Sequence, residues 1–131
     1  MPRPPSPHPT ELELEILKIL WRDGARSVRE VREALEAEGR KLAHTSVITV
    51  MNIMADKGYL KRSRKDTGFV YTTKVARGAT LGKMLRDLVD RAFGGSKAAA
   101  MLNLLETSDV TREELDELRT LITKKSKEKR P

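Results

Sequence analysis

The chain has no cysteine among its 131 residues. That excludes a disulfide framework and any thiolate metal site, and it suits a reducing cytoplasm. Histidine is almost as scarce: His8 and His44 are the only two, too few for a His-built metal or catalytic cluster. No apolar run marks the N-terminus. MPRPPSPHPT instead carries five prolines in nine residues, which reads as an extended, disordered arm over 1–9, not as a signal peptide or membrane anchor. Acid is nearly missing from one stretch: from Lys57 to Lys74 there are six Lys or Arg against a single Asp66.

What is present is positive charge. A net +7 and a pI near 9.9 bias the partner toward nucleic acid, or less often an acidic membrane surface, the bland alternative being a merely soluble exterior. The length allows one domain, or one small domain with an appendage, and a single real core.

Helical periodicity starts at Thr10, where TELE is a capping box: the Thr10 hydroxyl and the Glu13 carboxylate each satisfy a free amide at the other's position. Leu12, Ile16, Ile19 and Leu20 follow at helical spacing, widened by Leu14, Leu17 and Trp21, until Asp23-Gly24 stops the run. Ser27 and Glu30 repeat the box and open a second helix with a face of Val28, Val31 and Leu35, ended by Gly39. LAHTSVITVMNIMADKGYL, residues 42–60, supplies a third helix, ended by Gly58. Val47, Val50, Met51 and Met54 form its core stripe, and Thr45, Thr49 and Asn52 lie together on the opposite face. Beyond Gly58 the period falls to two, so YLKRSRK and GFVYTT predict a hairpin joined by Asp66-Thr67-Gly68.

Three helices and a basic hairpin is the order of a winged helix-turn-helix, whose third helix enters the DNA major groove. Between Leu42 and Lys57 that helix carries no Lys or Arg. Close approach to base edges explains this: short Thr and Ser side chains let the backbone near, Asn can bond adenine, and the charge moves to a hairpin that lies along phosphates. An ordinary solvated face is the other reading of Thr45, Ser46, Thr49 and Asn52.

The last third is amphipathic and helical. Leu81, Leu85, Leu88, Val89 and Ala92 form one helix, broken at Gly94-Gly95; Met101, Leu102, Leu104 and Leu105 mark a second; Thr111 and Glu114 box a third that presents Leu115, Leu118 and Ile122. Chains below about 40 residues rarely bury such a face alone. Two intertwined copies would cover it, and packing back on the first domain is the alternative. GGSK at 94–97 lacks the spaced first Gly of a phosphate loop and follows no strand, so it reads as a helix break. No nucleophile and base pair up, so no catalytic residue, cofactor or metal site is expected.

LELEILKILW, LAHTSVITVMNIMADKGYLKR and a wing ending in FVYTT resemble the penicillinase-repressor family of transcriptional regulators (BlaI/MecI/CopY type), over residues 10–123. The resemblance implies a homodimeric repressor of inverted-repeat operators with a TACA/TGTA core. It places DNA contact at Thr45, Ser46 and Thr49 and on the wing, where Arg62, Arg64 and Lys65 supply charge. His44 stands where the family often has Tyr or a polar residue, which implies a phosphate contact, an idle imidazole being the alternative. Ile53 replaces a residue that is basic in many members. Ile48 flanks the exposed face, set either to touch a thymine methyl or to pack on helix two. In antibiotic-responsive members a sensor protease system cuts the tail after an Asn that precedes Phe. The matching pair here is Asn103-Leu104, which keeps the Asn and not the Phe. The cysteine-rich tail of copper-responsive members is absent, which excludes metal sensing by that route.

The reading is a mainly α protein with a small β-hairpin: an arm over 1–9, a winged-helix domain over 10–75, a helical dimerisation region over 76–123 and a basic flexible tail over 124–131. Its expected role is a cytoplasmic, non-enzymatic, dimeric repressor on a palindromic double-stranded operator, with no membrane partner. Dimerisation is assigned to Leu81, Leu85, Leu88, Leu102, Leu105, Leu115, Leu118 and Ile122. The rivals are an activator or architectural factor on the same fold, and a winged-helix protein-interaction module.

Overall fold

Both predicted capping boxes of the first domain close. In α1, Glu11–Asp23, the Glu13 N–H donates to Thr10 Oγ1 at 3.2 Å and the Thr10 N–H donates to Glu13 Oε1 at 2.8 Å. In α2, Val28–Ala37, the Glu30 N–H donates to Ser27 Oγ at 3.2 Å and the Ser27 N–H returns to Glu30 Oε1 at 3.0 Å. The Ser27 amide, first among several causes, holds the Glu30 carboxyl below the usual carboxylate range. These details come from a computed structural model, which describes residues 7–66 and 68–130.

The third helix, α3, spans His44–Asp56, and Gly58 just beyond it takes a φ of 88°. A side chain rarely tolerates that left-handed region, so Gly is the natural stop. One core joins all three helices to the hairpin: Ile16, Leu17, Ile19 and Leu20, then Val31 and Leu35, then Val47, Met51 and Met54, closed by Leu60 and Tyr71. Leu12, Trp21 and Val50 pack at its edge. Ile48 does so too, which favours its packing role over a base contact.

The hairpin pairs β1, Leu60–Lys65, antiparallel with β2, Gly68–Thr73, in a register that sets Arg62 opposite Tyr71 and Lys65 opposite Gly68. Asp66 turns the chain at a φ of 46°, which Asp accepts better than most residues. An isolated bridge widens the sheet by one residue on the free side of β2: the Tyr71 N–H donates to the Arg26 carbonyl at 2.8 Å, and the Arg26 N–H donates to the Tyr71 carbonyl at 3.2 Å. The Trp21 indole N–H donates to the Val75 carbonyl at 2.9 Å, fastening the end of α1 to the chain leaving the wing.

Glu13 does more than cap. Its side chain is 4% exposed, and Lys57 Nζ reaches its two oxygens at 2.9 and 3.2 Å. One carboxylate therefore serves both the start of α1 and the end of α3.

Three further helices follow: α4, Arg77–Ala92, α5, Lys97–Thr107, and α6, Arg112–Glu128, the last opened by the expected Thr111/Glu114 box. Gly94 and Gly95, at φ of 59° and 84°, make the predicted break after α4. The chain divides into two units, the first ending at Leu85 and the second starting at Arg86. The division falls inside α4, not at the expected 75/76 step. Residues 124–128 continue α6 instead of forming a flexible basic tail. Cations in a last turn oppose the negative end of the helix dipole, and Lys125 pairs with Glu128 at 3.6 Å. Of the expected arm, residues 1–6 lie outside the described residues. His8 and Pro9 are half-buried, and with Pro7 they line a cavity of about 240 Å³ shared with Tyr59, Val75 and Thr80.

Candidate nucleic-acid interface

The first turn of α3 has no side-chain cap, because its N-cap residue is Ala43. Its free amides therefore present the positive end of the helix dipole to whatever lies in front of them. His44, Thr45, Ser46 and Thr49 are all exposed around that end. The Thr49 hydroxyl donates back to the Thr45 carbonyl at 2.8 Å. Its proton is thus occupied, and it offers a partner its oxygen lone pairs and its methyl. Ile53, on the same side, is 44% exposed.

Asn52 differs from the other four. It is half-buried, and its Oδ1 accepts from the Tyr71 hydroxyl at 2.9 Å and from Arg62 Nη1 at 3.0 Å. The polar face of α3 is thereby joined to the basic strand of the wing.

Alternation along the paired strands sets Arg62, Arg64, Phe69 and Tyr71 on one face and Lys61 and Lys65 on the other. The Arg62 and Arg64 guanidinium carbons lie 5.5 and 6.0 Å from the Phe69 ring centroid, within cation–π range. Phe69 is 50% exposed, an apolar ring held between two cations near the wing tip. Arg62, Arg64 and Lys65 are therefore all exposed on the wing, but not on one face. Sequence reasoning did not single out Lys61, Phe69 or Tyr71, which share the wing with these cations. A strict two-residue count from Leu60 and Tyr71 inward would have grouped Phe69 with the arginines, given the register.

In the second unit, Leu88, Leu102, Leu105, Leu115, Leu118 and Ile122 are exposed, as is Leu85 at the end of the first; Leu81 is half-buried. A groove of about 1080 Å³ between α5 and α6 is lined by Met101, Leu104, Leu105, Leu115, Leu118 and Ile122. Asn103 and Leu104 are exposed within α5, where the Asn103 carbonyl accepts from the Thr107 hydroxyl at 2.6 Å. Among the described residues no group of three or more His, Cys, Asp or Glu is placed to hold a metal ion. No helix among them is long and apolar enough to cross a membrane.

Three helices around one core, a two-stranded basic wing and a helical C-terminal region define a winged-helix protein. Residues 9–124 match the profile of the penicillinase repressor family, and the chain belongs to that family. It is 33% identical over 111 residues to the transcriptional regulator BlaI of Mycobacterium tuberculosis, covering 83% of this chain and 78% of the relative. It is 25% identical over 112 residues to the penicillinase repressor of Bacillus licheniformis, covering 86% and 87%. The methicillin resistance regulatory protein MecI of Mammaliicoccus sciuri is 23% identical over 113 residues, covering 86% and 91%.

Proposed function

We propose that the chain is a cytoplasmic transcriptional repressor that binds an inverted-repeat DNA operator as a homodimer. The observation that carries this reading is the Arg62–Asn52 contact at 3.0 Å, which sets the basic strand of the wing directly beside the polar face of α3. A helix N-terminus in the major groove and a strand along the flanking phosphates would then engage one stretch of duplex together. His44, Thr45, Ser46 and Thr49 form the groove side, Arg62, Arg64 and Lys65 the phosphate side, and Asn52 joins the two. The relatives named as repressors and regulators support the same role.

The dimer rests on the uncovered leucines of α4 to α6. Burying a Leu or Ile side chain contributes roughly 1.5–3 kcal/mol, so a second copy seated on these faces has a strong driving force. A sensor protease system that opens the Asn103–Leu104 bond would detach α6 and release the operator.

Fluorescence anisotropy on a palindromic duplex and a scrambled duplex of equal length and composition tests the reading. Tighter binding to the palindrome, at one dimer per duplex, is the expected result. Equal binding to both would replace sequence readout with an architectural role, and no binding would leave a protein-interaction module.

A further inference from the structure

Asn52 can make the bidentate contact with adenine only if its carbonyl oxygen is free to accept from the base while its amide nitrogen donates. That oxygen is occupied twice. An arginine can only donate, so the Asn52 atom facing Arg62 must be the oxygen, and the same atom accepts from Tyr71. Both lone pairs are used before any DNA arrives.

The two donors are themselves held. Tyr71 is 2% exposed in the core, and its backbone is paired to Arg26 on one side and to Arg62 on the other. Arg62 lies over Phe69 at 5.5 Å while it donates to Asn52. A continuous path thus runs from the core, through the Tyr71 hydroxyl and the Asn52 oxygen, to the Arg62 guanidinium and the wing-tip ring. Leu60, Tyr71 and the Arg26 bridge hold the base of the hairpin, and the Asn52 contact adds a brace between its basic strand and α3.

We propose that Asn52 is a positioning residue, which locks the wing against the recognition helix and reads no base. This role rests on the DNA-binding reading above. It makes the spacing between groove contacts on α3 and phosphate contacts on the wing a built-in property of the free protein.

Three single variants of the full chain test it. In the free protein, hydrogen exchange at the β1 and β2 amides should quicken in Asn52→Ala and Tyr71→Phe. It should stay at or below the wild-type rate in Asn52→Asp, which keeps the acceptor for Tyr71 and Arg62, loses the amide donor and adds a negative charge facing Arg62. On DNA, Tyr71→Phe, which removes one hydrogen bond, should weaken operator binding about fivefold, and Asn52→Ala, which removes two, should weaken it further. The loss should be equal across a panel of operators substituted one base pair at a time. If Tyr71→Phe does not fold, the comparison of Asn52→Ala with Asn52→Asp still decides. Unchanged wing exchange in Asn52→Ala, or a loss of preference confined to one base pair, overturns the proposal. A wild-type chain that fails to prefer the palindrome overturns the DNA reading and this role with it, whereas wild-type preference with an unbraced wing overturns the role alone.

Discussion

Thr49 and Glu13 show how differently two polar side chains of one small domain are employed. Thr49 is exposed, and its hydroxyl proton is already given to Thr45, so it can add to discrimination only as an acceptor or through its methyl. Thr49→Ala should therefore weaken binding to the cognate palindrome by about 1 kcal/mol, the low end for a base contact, and binding to random duplex hardly at all. Equal losses in parallel titrations of the two DNAs would move Thr49 off the base edges. Glu13 contributes inside the protein. Removing Lys57 strands a carboxylate whose side chain is 4% exposed, whereas removing Glu13 leaves a lysine 30% exposed that can turn to water. Breaking a buried pair costs about 3–5 kcal/mol, and the partial exposure of Lys57 should reduce this to roughly 2–3 for Lys57→Ala. Glu13→Ala should cost less, about 1–2 kcal/mol, part of it the lost cap. Urea titrations of the two variants compare the values, and a larger loss for Glu13→Ala would mean that the cap outweighs the pair.

At the scale of elements, the wing is a strand pair with two unlike faces. Arg62 and Arg64 share one with Phe69, and Lys65 looks the other way beside Lys61. Each phosphate contact contributes roughly 0.9 to the logarithmic salt slope on duplex DNA, so three independent contacts would remove roughly 2.7. Neutralising Arg62, Arg64 and Lys65 together should flatten the slope by less, roughly 0.9–1.8, because two faces of one strand cannot both lie on a single backbone. The change should appear on specific and random DNA alike. An unaltered slope in the triple variant would place the wing away from the phosphates. Helix starts at this scale obey local chemistry: Thr10, Ser27 and Thr111 each accept from the amide three residues on, and Glu13, Glu30 and Glu114 each reach back. α3 alone of these four begins without a side-chain cap, at the end proposed to enter the groove.

For the whole molecule the question is what the two units contribute to each other. Every residue of the main hydrophobic cluster precedes Leu85, within the first unit, so that unit has its own core. Truncation after Asn103 removes Leu115, Leu118 and Ile122 with α6 and touches none of it. The shortened chain should melt with the first domain intact, sediment as a monomer and lose tight operator binding. A dimer holds two recognition helices about one DNA turn (~34 Å) or a multiple apart, so both half-sites bind as one event. Losing that link should weaken the operator complex by roughly 10²–10⁴-fold. A truncated chain that stays dimeric and binds tightly would remove both the dimer role of α6 and any switch by cleavage at Asn103–Leu104.

The amino-acid sequence alone determined the six helices, the hairpin and the polar face of α3, because each depends on neighbours a few residues apart: a box closes over three, a stripe repeats over four, a strand alternates over two. It also carried the family, through the third-helix block and Trp21. Contacts between distant parts of the chain were beyond it. Nothing in TELE announces that Glu13 will meet Lys57, 44 residues later. Nothing in the third helix shows that Asn52 will spend its carbonyl on Tyr71 and Arg62, since periodicity sets only the direction in which a side chain leaves its helix. Which groups it meets depends on how the hairpin is laid against α3. That was decided by the tertiary structure, through the burial of Leu60 and Tyr71 and the pairing of Tyr71 with Arg26.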